Sequence, residues 1–481
     1  MSTPAIFCAI MLLVVGHCLV RSYFLLRYGW AGGDTYYHFV LAEQIRIAGI
    51  AQLINKRFVV PEAVDYPPLL PFLLSRMPPG YVRRFQYIAP LSDTLTLIVV
   101  IAAAYWWWNP GAALISGLVY SLTPYTFDMA YSLNPRPIGN LFMSLVLIAL
   151  VSPAPGIWPI ALAAVCGCLV LLTHRLTAQS FAACLAIFAL FNVGYAIGVT
   201  ALAVGLAVLV SRRLYLISMK GHISFLRAIG FAKCSAVNFY NNFIRIVSGN
   251  PYILLIVGMG IWGSVFDLQR QILAAWVMTL LLLAQLWPFG EGDRHFANAS
   301  SSVALLIGGS GAGGYAWVLA ALGMACGIML IGAKIYAYPR LAARGAGTLV
   351  MPTLREGCAA VRALYQHNAV RPLILVLPQS LSYQVMYFAD ARVVLASGGT
   401  GAGLAYNWDL SARLGQFGLN GLRDEEQPDV VMFLDSVRIE LPHAQWQLLF
   451  QRGGLSIYWR VGMSIQAQGH VGARTCAVLS N

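Results

Sequence analysis

Long apolar stretches with almost no charge recur along the first two thirds of the chain, at about 4–26, 88–106, 111–123, 137–151, 157–173, 180–192, 194–210, 251–266, 271–288, 300–310 and 315–336. A helix needs about 20 apolar residues to cross a bilayer core of about 30 Å, whereas a barrel strand needs about 9–11 and alternates apolar with polar. Segments such as 95–108 (LTLIVVIAAAYWWW) show no alternation. The pattern therefore predicts about eleven transmembrane helices. Several are short, and 300–310 is the weakest because Gly308 to Gly314 is glycine-rich. The stretch 180–210 reads as one long tilted helix or as two short ones split at Asn192 to Gly194. The first segment lacks a small-residue cleavage site and reads as a retained helix.

Two segments break this pattern. The first loop, 27–87, is long and mixed, with Asp34, His38, Glu43, Asp65 and several prolines. Thr35 to Ile47 within it reads as a helix. After about Pro339 charge rises. Pro372 to Pro378, Ala391 to Ser397, Asp429 to Leu434 and Leu455 to Val461 read as strands, and Ser382 to Ala389 and Pro442 to Arg452 as helices. The expected architecture is a polytopic α-helical membrane protein over 1–338, followed by a small soluble α/β domain over 339–481 with a largely parallel sheet. About 140 residues suffice for a core of its own.

Composition narrows the classes. Hydrophobic residues make up 59% and charged ones 10%, against about 45–50% and about 25% in soluble domains. That excludes a soluble globular enzyme, a disordered chain and a fibrous protein. The nine cysteines lie mostly inside apolar runs and read as small buried thiols. The net charge of +13 fits anionic lipid or phosphate at a basic face. No nucleic-acid motif is present.

With eleven spans, parity puts the segments holding Asp34, Asp128 and Arg136, His174 and Arg175, Glu291 to His295, and the C-terminal domain on one side. Taken literally, the positive-inside rule makes that side cytoplasmic, but the rule weakens for long segments.

Five places carry candidate chemistry. Gly32-Gly33-Asp34-Thr35-Tyr36-Tyr37-His38 follows the first span directly. A partly shielded carboxylate there suits proton abstraction, and Asp34 equally suits a helix N-cap. Asp65-Tyr66-Pro67-Pro68 is a rigid turn leading to the next surface helix. Arg136, in Asn134-Pro135-Arg136-Pro137, sits where a span re-enters the bilayer and reads as a snorkelling anchor or a phosphate ligand. His174 and Arg175 lie between two apolar spans, where charge is costly unless paired or wetted. Glu291-Gly292-Asp293-Arg294-His295 is the densest charge cluster beside the spans and could ligate a metal, hold a phosphate or cap two helices. The glycine-rich 398–403 lacks the spacing of a dinucleotide loop and reads as a flexible loop.

Asp34-Thr35-Tyr36-Tyr37-His38 after a first helix, a long first loop, Tyr66-Pro67-Pro68, and Arg294-His295-Phe296 before a late span resemble the GT-C superfamily of integral-membrane glycosyltransferases. The C-terminal α/β domain is similar to the extracytoplasmic domains many of them carry. The resemblance implies that the polar side is extracytoplasmic. It also implies a sugar donor on a polyprenyl phosphate or pyrophosphate, with Asp34 as the catalytic base and membrane lipid around the protein. Transfer to a lipid, glycan or protein acceptor is expected to invert the anomeric carbon. Arg136, Arg175 and Arg294 would steady the leaving phosphate, with His38, Tyr66, His174 and His295 also binding substrate. A second reading within the superfamily is an oligosaccharyltransferase holding a divalent cation (Mg or Mn) on Asp34, Asp128 and Glu291 or Asp293. It lacks the Trp-Trp-Asp-Tyr-Gly signature, of which Asn407-Trp408-Asp409 is the nearest echo. A lipid flippase or secondary transporter is the alternative from another class, although the chain shows no inverted repeat.

Overall fold

In a computed structural model, the described residues are 3–461 except 30, 50–53, 56, 60–61, 64–65, 79–80, 153–155, 212, 230–235, 254–255, 257–266, 287–291, 311–313, 344–350, 367–369, 396–400, 436, 438–440 and 443. They form two compact units. One takes in residues 1–53, 63–340 and 399–402, the other 54–62, 341–398 and the chain from Gly403 onward.

The helices up to Ala343 are α1 (Thr3–Tyr28), α2 (Gly33–Ala48), α3 (Leu69–Ser75), α4 (Val82–Phe85), α5 (Ile88–Trp107), α6 (Pro110–Ser121), α7 (Pro124–Ala130), α8 (Pro135–Val151), α9 (Ile157–Thr173), α10 (Arg175–Phe188), α11 (Val193–Ser211), α12 (Arg213–Ile229), α13 (Ala236–Gly249), α14 (Leu268–Leu286), α15 (Asp293–Ala297), α16 (Ser300–Gly309) and α17 (Gly314–Ala343). Among them α1, α5, α11, α14 and α17 are long and apolar enough to cross a membrane. Ten of the eleven expected segments are helical, and 251–266 lies largely outside the described residues. The stretch 180–210 resolves into α10 and α11, which break at Ala189–Asn192.

Local chemistry sets the helix starts. Asn109 caps α6 by accepting from the Ala112 N–H at 2.9 Å, with Pro110 in the first position. Asn134 caps α8 in the same way through the Arg136 N–H, again at 2.9 Å and ahead of a proline. His174 ends α9 and caps α10, its Nδ1 facing the Thr177 N–H at 3.4 Å. Such caps satisfy N–H groups that the first turn leaves unpaired.

The apolar core joins α5, α6, α8, α9, α14 and α16. All ten residues of α16 are buried, so its ten-residue length reflects enclosure by protein. Its glycines are packing residues, because a Cβ on Gly308 would lie 2.7 Å from the Ala112 carbonyl oxygen of α6. Elsewhere large apolar side chains such as Leu12, Trp106 and Leu209 stand exposed, as expected where the solvent is lipid.

The second unit contains β1 (Ile54–Asn55), which pairs with β2 (Glu62–Ala63) in a ribbon, and the elements α18 (Pro352–Tyr365), β3 (Leu373–Leu377), α19 (Ser382–Phe388), β4 (Arg392–Val393), α20 (Gly401–Phe417), β5 (Val430–Leu434), β6 (Trp446–Arg452) and β7 (Leu455–Arg460). The five-stranded sheet runs β4-β3-β5-β7-β6. It is mixed rather than largely parallel. β4, β3 and β5 are parallel, whereas β7 and β6 run antiparallel.

The helix expected over 442–452 is the strand β6. Its exposure alternates in part, and it turns into β7 through Gly453 and Gly454, both at positive φ (55° and 78°). A tight two-residue turn of that kind favours a hairpin. The loop expected over 398–403 is already helical from Gly401, and 398–400 lie outside the described residues. One further pairing joins the sheet. Val59 N–H donates to the Val393 carbonyl at 3.0 Å and Val393 N–H to the Arg57 carbonyl at 2.8 Å, so residues 57–59 lie along the free side of β4.

Candidate active site

The site begins where α1 ends. The chain turns through Gly29 and Gly32, at φ 73° and 92°, and enters α2 at Gly33. Asp34 occupies the second position of that helix and makes no capping bond, so the cap itself is Gly32. A carboxylate in a first turn is still favoured by the helix dipole. The Asp34 side chain is exposed, not shielded as expected. The Thr35 hydroxyl anchors the turn on the Ala31 and Leu133 carbonyls at 2.9 and 2.8 Å.

His38 lies one turn beyond Asp34 and therefore on the same helix face. It is buried, and its Nδ1 has no hydrogen-bond partner among the described residues. Burial pulls its pKa down to about 4 against the opposing pull of Asp34, so the ring is neutral at neutral pH. Its ring centroid lies 5.6 Å from that of Tyr66.

Tyr66 is the hub. Pro67 and Pro68 stiffen the chain between it and α3. Its ring is 6.3 Å from that of His174, and the Arg175 guanidinium carbon stands 5.7 Å from its centroid. Burial raises the Tyr66 pKa and Asp34 raises it further, while Arg136 and Arg175 pull it down. His174 is held neutral by burial and by the nearby charges of Arg136 and Arg294. Asp34, His38, Tyr66, Arg136, His174 and Arg175 thus share one electrostatic neighbourhood, with Arg294 and His295 beside His174.

Four residues here, Ser180, Asn298, Gln179 and His222, escape a reading of motifs. The Ser180 hydroxyl meets His295 Nδ1 at 3.1 Å and accepts from the Asn298 amide at 3.0 Å. The Gln179 amide meets His222 Nε2. His222 lies on the buried side of α12, with Tyr215 and Ser218, while Leu216, Met219 and Ile223 are exposed. That amphipathic spacing was the available signal.

Of the proposed metal ligands, Asp128 and Asp293 have basic partners. Asp128 accepts from Lys334 and from the Tyr338 hydroxyl. Asp293 lies 3.7 Å from Arg245. Glu291 and Asp65 fall outside the described residues. Among the described residues no three His, Cys, Asp or Glu side chains gather as metal ligands. The sequence hid the reason, because Lys334 is 206 residues from Asp128. An acid already neutralised by an ammonium is a poor start for a cation site.

No family model matches the chain, and neither does any curated protein sequence. Solved structures do. ArnT from Cupriavidus metallidurans bound to undecaprenyl phosphate matches with a TM-score of 0.62 at 13% identity, over 94% of this chain and 98% of that one. The Archaeoglobus fulgidus oligosaccharyltransferase in complex with Zn and sulfate matches with a TM-score of 0.58 at 11% identity, over 88% of this chain and 68% of that one. The archaeal oligosaccharyltransferase AglB from Archaeoglobus fulgidus, in complex with an inhibitory peptide and a dolichol-phosphate, gives a TM-score of 0.56 at 11% identity, over 88% of this chain and 69% of that one. The chain has the GT-C fold. Within that fold Asp34 follows closely on the first helix, and Arg136, Arg175 and Arg294 lie in the first turns of α8, α10 and α15.

Proposed function

We propose that this protein is an integral-membrane glycosyltransferase that takes a sugar from a polyprenyl-phosphate donor. The observation that carries the reading is an exposed carboxylate, Asp34, in one electrostatic neighbourhood with Arg136, Arg175 and two neutral imidazoles around Tyr66. One-step sugar transfer needs a base and a phosphate clamp close together. The ArnT structure of the same fold holds undecaprenyl phosphate, which supports the donor class.

In this mechanism Asp34 takes the proton from the acceptor hydroxyl as its oxygen bonds to the anomeric carbon. The bond from that carbon to the phosphate oxygen breaks, and its electron pair leaves with the polyprenyl phosphate. Attack from the opposite face inverts the centre. Arg136, Arg175 and Arg294 stabilise charge as it grows on the leaving phosphate. His38 and His174 are neutral and bind by hydrogen bonding rather than as cations. Tyr66, kept protonated by burial, donates its hydroxyl to substrate. We place the site on the extracytoplasmic face, where lipid-linked donors are consumed without nucleotide.

The oligosaccharyltransferase reading shares the fold, but two of its acids, Asp128 and Asp293, have Lys334 and Arg245 as basic partners. Transfer from a radiolabelled polyprenyl-phosphate sugar, with purified Asp34→Asn as control, tests the proposal. General-base catalysis is worth about 10²–10⁴-fold. A folded Asp34→Asn retaining more than about a tenth of the wild-type rate would remove Asp34 from that role.

A further inference from the structure

A second polar cluster lies inside the helix bundle, and the proposed chemistry does not use it. The Asp93 carboxylate on α5 accepts from Arg21 Nε and His17 Nε2 of α1, each at 2.9 Å, and from the Tyr120 hydroxyl of α6 at 2.6 Å. Ser121 completes the imidazole at Nδ1, 3.0 Å away. Arg21 and Asp93 are each 1% exposed. Ionisable groups placed inside a membrane bundle are costly and are kept for a reason.

The contacts lead toward the active site. The Arg21 guanidinium also donates to the Ser121 carbonyl at 2.9 Å and to the Thr126 hydroxyl on α7 at 2.5 Å, and it lies 5.6 Å from the Phe127 ring centroid. From α7 the chain continues into Ser132, Leu133 and Asn134. The Asn134 side chain ties this turn down by donating to the Met129 and Ser132 carbonyls at 2.7 and 3.2 Å, and it caps the helix that starts Arg136. The same turn holds both sides of Asp34. Ser132 packs against Gly32 so closely that a Cβ there would lie 2.4 Å away, and the Leu133 carbonyl receives the Thr35 hydroxyl at 2.8 Å.

The helix α1 needs such a fixture. Its apolar stretch is only 11% buried, so lipid contact leaves the height and rotation of that part weakly defined, and Phe24 and Leu25 are buried only at the far end of the helix. Directional charge pairing supplies the register, which is the best-attested use of buried ion pairs. We propose that His17, Arg21, Asp93 and Tyr120 form a positioning device that sets the height of α1 against the α7–α8 turn, and so aligns Asp34 with Arg136. The inference rests on the reading of Asp34 as base. None of the four touches substrate.

The test separates alignment from stability. Arg21→Met or Asp93→Leu alone strands a charge and lowers the melting temperature. The double variant strands neither charge, although His17 and Tyr120 lose their acceptor, and paired apolar replacement of an ion pair is often neutral or stabilising. It should melt above either single variant and bind lipid donor normally, yet lose about ten- to a hundredfold in kcat, since about 1 Å of misplacement costs up to about 10²-fold. Hydrogen exchange of the 31–36 amides should accelerate. A double variant with wild-type kcat and wild-type exchange overturns the proposal. If the double variant fails to fold, Thr126→Val removes the hydrogen bond from Arg21 to α7 while leaving the Arg21–Asp93 pair in place, and the same two readouts decide. If the wild type moves no sugar from any polyprenyl-phosphate donor, the functional reading fails, and exchange at 31–36 still decides the positioning claim.

Discussion

Replacing Gly32 with alanine perturbs the active site without touching a reacting group. Gly32 has φ 92° and ψ 130°, a conformation that L-residues avoid, at a cost of about 1–3 kcal/mol. The added methyl would also meet Ser132 Cβ at 2.4 Å. Carbon atoms rest about 3.5–4.0 Å apart, so the two backbones must part by about 1–1.5 Å. Asp34 lies two residues on and should move by a similar amount, which predicts a fall in kcat of about tenfold to a hundredfold. Purified Gly32→Ala would be assayed for transfer from a polyprenyl-phosphate sugar, alongside thermal melting. The companion Gly32→Ala/Ser132→Gly removes the contact with Ser132 but leaves the backbone strain and the 2.5 Å approach to the Thr35 hydroxyl, so it should recover only part of the lost activity. If Gly32→Ala turns over like the wild type at an unchanged melting temperature, the close fit between these two chain segments plays no part in placing Asp34.

Further outcomes follow from the same site. His38 has a native pKa near 4, against about 6.5 unfolded, so the unfolded chain binds its proton first as pH falls. This contribution to stability is intact above about 6.5, is lost between there and 4, and amounts to about 3 kcal/mol; melting across that window should flatten in His38→Gln. Arg294→Ala should raise the donor KM or lower kcat while the fold persists, and Arg294→Lys should rescue little because it lacks the planar fork. Early melting of both with normal donor binding moves the phosphate role to Arg175 or Arg136. Arg175→Ala should weaken donor use and also release Tyr66 from its cation–π contact, visible as altered tyrosine ultraviolet absorbance. A C-terminal reporter active only in the cytoplasm should stay silent, and a strong signal would reverse the topology.

The membrane helices were legible because lipid demands long uncharged runs, and α1, α5 and α11 follow their segments closely. Asp34, His38 and Tyr66 were legible because they stand in short polar islands. What stayed hidden depends on distance along the chain. Asp93 sits within an apolar run and means nothing until Arg21 and His17 are placed beside it. Asp128 looks available until Lys334 reaches it. His222 carries no motif and enters the site only through the packing of α12. The mistaken helix at β6 has a local cause. Trp-Gln-Leu-Leu-Phe-Gln-Arg alternates imperfectly, and the bulge between Leu448 and Phe450 displaces its period.

The bridge that residues 57–59 make to β4 has a practical consequence. These residues come from the first loop, about 300 residues before the sheet that receives them. The C-terminal domain is therefore not a detachable module. Residues 341–461 expressed alone would lack the bridge at Val393 and the Arg57 partner of Asp390, 2.6 Å away. They would present the bare side of β4, an invitation to edge-to-edge aggregation. Cutting the chain near Pro339 would in turn leave the first loop without its anchor. A recombination that exchanged the C-terminal domain between related proteins would have to carry a piece of the first loop with it, so the two must be inherited together.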